Sequence, residues 1–130
     1  MYTFDDLVNI TNKLRSDDGC PWDREQTYES LKKCLEEESR EVFSAIDHKD
    51  MENLCEELGD VLFLVMLSSQ IAKEHRDFSI DDVVNGICEK MIRRHPHVFG
   101  SKNADLPLKG EALWEAIKKQ EKALQRSEKP

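Results

Sequence analysis

CEELGDVLFLVMLSSQIA, residues 55–72, opens on acids and then carries an unbroken apolar run from Val61 to Leu67. Wound as an α-helix, that run covers about two full turns, so the segment is apolar on every face. A helix of this kind is surrounded by other elements, and the run predicts the centre of an all-α core. Asp50 is placed to cap the helix, which the pattern carries to about Lys73. The longest nearly uncharged stretch, VLFLVMLSSQIA, is too short to span a bilayer.

On the N-terminal side, Thr27 is an N-cap for a helix reaching about His48, with Leu31, Leu35, Val42, Ala45 and Ile46 as one apolar stripe. Earlier still, Thr3 followed by Asp6 starts a first helix bearing Phe4, Leu7, Ile10 and Leu14, which the polar stretch SDDGCPWDR, residues 16–24, interrupts as a loop. On the C-terminal side, Ser79 with Asp82 marks another start, and Val83, Ile87 and Met91 continue a helix until the step His95-Pro96 ends it in a turn, HPHVFG. Residues 101–109, with Pro107, read as a connector, and EALWEAIKKQEKALQ, residues 111–125, as a final helix. No alternating β pattern of useful length interrupts this series. The expectation is an all-α, antiparallel bundle of about five helices in one domain over residues 1–130, with 1–126 as core and 127–130 as a frayed tail.

The chain has 130 residues, of which 35% are charged and 38% hydrophobic, and a net charge of -8. Amphipathic helices with solvated outer faces explain that balance, and so does an apolar face completed by another subunit, so oligomerisation is expected. The acidic balance argues against a nucleic-acid binder, because duplex binding relies on basic residues that displace counterions from phosphates. Cys20, Cys34, Cys55 and Cys88 form no C-x-x-C pair and read as free thiols in a reducing compartment. The N-terminus MYTFDDLVNITNKL lacks the basic and apolar regions of a signal peptide, and the expected location is cytoplasmic, with no membrane partner.

The acids of the two central helices are not placed at random. The steps 31, 35, 38, 42, 45 alternate four and three residues, so Glu38 lies inside the apolar stripe, and Glu41, three residues on, sits at its edge. ELGD repeats the spacing with Glu57 and Asp60, one turn before the apolar run. Two adjacent helices thus each aim an i, i+3 acid pair inward. Such carboxylates repel one another and lose hydration unless cations neutralise them or some become protonated. Oxygen donors alone suit hard ions such as magnesium or manganese. No Glu-x-x-His pair occurs, which speaks against a di-iron bundle. The competing reading, acid-rich helices as solvated faces, fits Glu36 and Glu56 better than Glu38.

These residues resemble the MazG family of nucleotide pyrophosphohydrolases, whose pattern E-E-x-x-E followed by E-x-x-D stands here as Glu37-Glu38-Ser39-Arg40-Glu41 and Glu57-Leu58-Gly59-Asp60. The resemblance continues through CPWDREQTYESL, residues 20–31, CEKMIRRHPHVFG, residues 88–100, and WEAIKKQEK, residues 114–122. It implies an all-α enzyme that splits a nucleoside triphosphate between the α and β phosphates, giving a monophosphate and pyrophosphate. It implies Glu38, Glu41, Glu57 and Asp60 as Mg2+ ligands, with Mn2+ as a substitute. Glu37 and Glu38 are then the catalytic candidates for orienting or deprotonating the attacking water. A role in clearing non-standard or surplus deoxynucleotides is one extension of the resemblance.

Lys90, Arg93 and Arg94 form a basic group in an acidic chain, and Lys90 with Arg94 at i, i+4 share a face suited to gripping phosphates, though pairing with surface acids is the ordinary alternative. Trp22 and Trp114 are candidates for stacking on a base, or else core or interface anchors. Lys118 is a further phosphate candidate on the last helix. His95 and His97 flank a proline and read as fixing the turn. Many family members carry two such domains in tandem where this chain has one copy, and a homodimer or dimer of dimers is expected. The alternatives are an all-α phosphohydrolase specific for dUTP or a phosphoribosyl nucleotide, and an acidic helical interaction module without turnover. Base preference is not legible in helical periodicity.

Overall fold

The computed structural model describes residues 1–100 and 110–128, the side chains of residue 110 and of residues 124–128 excepted. Its elements are α1 (Phe4–Arg15), α2 (Pro21–Glu25), α3 (Tyr28–Asp47), α4 (Met51–Glu74), α5 (Ile80–Arg94), α6 (Pro96–Phe99) and α7 (Gly110–Glu128). The described residues contain no strand. The five long helices are those expected. Two short ones correct the sequence reading, which took PWDR as loop and PHVF as turn: in both, proline occupies the first helical turn, where its missing N–H costs no bond and its fixed φ favours helix entry. α7 runs through Glu128, into the stretch read as tail. The connector 101–109 and residues 129–130 lie outside the described residues.

Local chemistry sets the helix starts. Thr3 and Asp6 form a reciprocal capping box on α1, and Thr27 and Ser30 form another on α3. Asp50 accepts from the Asn53 N–H at 3.1 Å to cap α4. At the start of α5 the backbone N–H of Ser79 donates to Asp82 Oδ2 at 2.9 Å. The ends of α3 and α4 share one device. Lys49 and Arg76 follow the caps His48 and His75 with φ of 54° and 64°. In each case the next N–H, of Asp50 or Asp77, bonds back to the carbonyl of Ala45 or Ala72. The left-handed turn after α3 sends the chain straight into α4, so the two pair as an antiparallel hairpin: Tyr28 stacks near His75 at one end, and the acids meet at the other.

The described residues group into two compact units, Met1–Val83 and Val84 onward. In the first, α4 packs against both α3 and α1, and α1 also packs on α2. Leu31, Leu64, Leu67 and Ile71 are the buried cluster between α3 and α4. Arg15, its side chain only 8% exposed, holds three elements together: Nε and Nη2 grip the Glu74 carboxylate at 3.0 and 2.7 Å, while Nη1 donates to the carbonyls of Asp23, Arg24 and Gln26. Those carbonyls are the open C-terminal end of α2, so a single guanidinium completes it. Gly19 makes the turn before α2 possible, since a Cβ there would stand 2.3 Å from the Leu14 carbonyl oxygen.

The apolar run is central only in part. Leu64, Met66 and Leu67 are buried, but Leu62 and Val65 remain 41% and 37% exposed, and Leu58 more so. Within the α3 stripe Leu31 and Ala45 are buried, whereas Leu35 and Ile46 are exposed, which corrects the expectation that all five positions face one interior. The physical reason is that α3 and α1 cover two sides of α4 and leave a third open. In the second unit, Leu113 and Ile117 of α7 are buried.

Candidate active site

Glu38 sits on the face of α3 that meets α4 because Leu31 precedes it by seven residues on the same stripe and Leu31 is pinned in the core. On α4, Glu57 precedes the core residue Leu64 by the same interval. Asp60 lies one turn beyond Glu57. One carboxylate oxygen from each of Glu38, Glu57 and Asp60 falls within 4.8 Å of the other two, with Glu38 and Glu57 half-buried and Asp60 exposed. Glu41 stands at the edge: its charge reaches Glu57, but it is not part of the mutual cluster. Glu37 is exposed and outside the group.

The electrostatics of this arrangement are those of anions held together without enough counter-charge. Oε2 of Glu38 is buried and meets no hydrogen-bond donor. The carboxyl of Glu57 is pushed up to about 7, first by desolvation, then by its hydrogen-bonding approach to Glu38, and then by the negative charges of Glu38, Asp60 and Glu41. An added proton on Glu57 is thus how the protein alone relieves the repulsion. A divalent cation relieves it better, because it satisfies the stranded Glu38 oxygen and neutralises the other two acids together. Three convergent carboxylates with no imidazole or thiolate are a hard-ion donor set, so the residues present fit such an ion.

The basic candidates lie in the second unit, where Arg93, Arg94 and Lys118 each have an acid partner. Arg93 Nε donates to Glu121 Oε1 at 2.6 Å, and Arg94 holds Glu121 Oε2 at 2.9 Å. Both guanidiniums hold the Glu121 carboxyl below its ordinary value, Arg94 contributing most. Arg94 also lies over the Trp114 ring, 4.9 Å from its centroid, and His95 stands 5.7 Å from the same ring. His95 keeps the structural role read for it, with Nδ1 2.6 Å from the Met91 carbonyl. Lys118 pairs with Glu115 at 3.2 Å, and Lys90 is half-buried on α5. Trp22, on α2 in the first unit, is 55% exposed.

Glu121 is the residue that sequence reasoning missed in this second constellation. Its signal was present, since 114, 118 and 121 follow the i, i+4, i+7 spacing of one helix face. Nothing in the spacing said which acid of α7 would meet the two arginines.

Residues 26–99 match the family model described as the MazG nucleotide pyrophosphohydrolase domain. The chain is 52% identical over 124 residues to a Thermotoga maritima protein named nucleoside triphosphate pyrophosphohydrolase/pyrophosphatase MazG, covering 95% of this chain and 47% of that relative. It is 41% identical over 124 residues to the Escherichia coli K12 nucleoside triphosphate pyrophosphohydrolase, with the same coverage of each. Against YabN of Bacillus subtilis, described as uncharacterized, identity is 47% over 93% of this chain and 25% of that one. The chain thus spans about half the length, or less, of the curated relatives it matches. Among solved structures, a mazG-related protein from Thermotoga maritima aligns with a TM-score of 0.68 at 28% identity, over 88% of this chain and 98% of the other. With more than half its length matched by the family model and its helices matched by a solved relative, the chain belongs to the MazG nucleotide pyrophosphohydrolase family.

Proposed function

We propose that the protein hydrolyses nucleoside triphosphates between the α and β phosphates, releasing the monophosphate and pyrophosphate, with Mg2+ held by Glu38, Glu57 and Asp60 and with Glu41 closing the coordination from the edge. The observation that carries this reading is the convergence of three carboxylates around a buried, unpartnered Glu38 oxygen in a chain of this family. Bound there, magnesium supplies the positive charge that lets a triphosphate approach four acids and makes nearby water more acidic.

The chain's own residues have separable tasks. Glu57 and Asp60, one turn apart on a helix anchored by Leu64 and Leu67, fix the ion's position by their rigid backbone. Of the two acids expected to handle water, Glu38 has its carboxylate in the cluster and Glu37 stands on the exposed side of α3, so Glu38 is the one assigned to accept a water proton. Within the second unit, a phosphate group is a like-for-like anionic replacement for the Glu121 carboxylate that Arg93 and Arg94 hold. No covalent intermediate is required. The exposed apolar residues Phe43, Ile46, Leu58 and Leu62 of the α3–α4 hairpin support a homodimer in which a second copy covers that face.

Product analysis tests the reaction. A panel of ribo- and deoxynucleoside triphosphates with Mg2+ is expected to yield monophosphate and pyrophosphate. Diphosphate with orthophosphate would place the cut elsewhere, turnover of dUTP alone would narrow the substrate, and absence of turnover throughout would sink the assignment.

A further inference from the structure

Among the described residues, Glu121 is the one acid that bridges two cations. Its Oε1 accepts from Nε of Arg93 at 2.6 Å, and its Oε2 accepts from Nε of Arg94 at 2.9 Å with Nη2 of the same side chain also at 2.9 Å. The pairing ties α7 to the last two residues of α5 and leaves one positive charge over, in a chain whose net charge is -8. It is also shielded. The side chains of Arg94 and Glu121 are 14% and 13% exposed, and the Arg94 guanidinium lies over the Trp114 ring. Charges withdrawn from water in this way interact more strongly than an exposed pair.

Beside the pair is a cavity of about 150 Å3 lined by Arg94, His95, His97, Leu113 and Trp114, all in the second unit. At roughly 30 Å3 per water, that is room for about five heavy atoms, the size of one phosphate group. Arg94 meets Glu121 through the Nε–Nη2 edge of its guanidinium, and Nη1 belongs to the same five-donor fork.

We propose that Glu121 is an internal occupant of an oxyanion site on Arg93 and Arg94: its carboxylate holds both guanidiniums in the free protein and has to leave before a phosphate group takes them. The proposal rests on the reading of these arginines as triphosphate ligands and adds the regulation of that contact. A carboxylate and a phosphate fit a guanidinium by the same planar, bidentate geometry, so one replaces the other without a change in α5. The exchange weakens every anion alike. The site is competent only in the fraction of molecules whose Glu121 has swung away, and the apparent Kd is the intrinsic value divided by that fraction. A triphosphate offsets this with its greater charge, whereas orthophosphate does not. The carboxylate thereby keeps the arginines closed to single phosphates and speeds the departure of pyrophosphate.

Calorimetric titration of inorganic pyrophosphate into wild type and Glu121→Gln, in chelator so that no ion bridges it to the acid cluster, reads the arginines directly. Glu121→Gln keeps the side chain's shape and removes its charge. Its Kd for pyrophosphate is expected to fall about tenfold or more, and orthophosphate should gain by a similar factor. The gain should vanish when Arg94→Gln is added to Glu121→Gln. With Mg2+, inhibition of triphosphate hydrolysis by pyrophosphate should strengthen by the same factor in Glu121→Gln, with KM lowered and kcat not raised. An unchanged or raised Kd for pyrophosphate in Glu121→Gln overturns the proposal and, with a lowered Tm, makes Glu121 a structural tie alone. If Glu121→Gln does not stay helical by circular dichroism, Glu121→Asp takes its place, since its shorter side chain keeps the charge but cannot span both guanidiniums. A smaller gain is then expected, and an unchanged Kd again overturns the proposal. The titration needs no turnover. Tighter pyrophosphate binding by Glu121→Gln in a protein that hydrolyses no triphosphate leaves the occupant standing without the reaction; hydrolysis with no gain in binding leaves the reaction without the occupant.

Discussion

Glu57 reports the state of the acid cluster. Its carboxyl is raised from an ordinary 4.5 to about 7, chiefly by desolvation and by Glu38. Below pH 4.5 the group is protonated folded or unfolded; between 4.5 and about 7 only the folded chain keeps the proton; above that neither does. Folding therefore binds protons in that window, and the Glu57 contribution to metal-free stability falls as pH rises through it and is flat beyond. Thermal melts in chelator should show this decline in the wild type and lose it in Glu57→Gln. Magnesium competes with the same proton, so calorimetry at pH 6 in buffers of different ionisation enthalpy should detect proton release on binding. At this scale the sequence revealed the pair 38/41 and the pair 57/60 by their spacing. The stripe of α3 already put Glu41 at its edge; that Asp60 joins Glu38 and Glu57 depends on the relative rotation of two helices, which no single helix's periodicity contains.

At the scale of elements, the helix starts were legible because capping is local: Thr3, Thr27, Asp50 and Ser79 each bond within three residues. The short helix α2 was not, because part of its support comes from outside. The end of α2 is closed by Arg15, from another helix. Replacing Arg15 with Gln should loosen α2 first, raising protease sensitivity around residues 21–26 before the α3–α4 hairpin melts. The left-handed residues Lys49 and Arg76 carry a different consequence. Their φ values favour glycine by about 1 kcal/mol before the entropy that glycine adds to the unfolded chain. Lys49→Gly and Arg76→Gly should each leave stability unchanged or raise it by a few tenths of a kcal/mol, read by urea denaturation. Leu67→Ala, at a fully buried position, should lower it by about 2–5 kcal/mol.

Over the whole molecule, the low apolar fraction and the fully apolar run of α4 pull in opposite directions, and the sequence resolved them as a bundle completed by oligomerisation. The open third side of α4, with Leu58 and Leu62 outward, is the structural form of that tension. Size-exclusion chromatography should show the wild type as a dimer and Leu62→Glu as a smaller species with unchanged helical circular dichroism. The family pattern was readable because its acids must keep i, i+3 spacing to converge at all; which faces of α3 and α4 meet was not, since Leu31 finds Leu64 and Leu67 only when the two helices pair.

The central claim is that Glu38, Glu57 and Asp60 hold the ion through which a nucleoside triphosphate is cut. Pyrophosphate release with and without Mg2+, comparing wild type with Glu38→Gln and Asp60→Asn, tests it most directly. Magnesium-dependent release in the wild type and a fall of about two to three orders of magnitude in both variants are expected, as for loss of a metal's charge stabilisation. Undiminished turnover in both variants would contradict the claim.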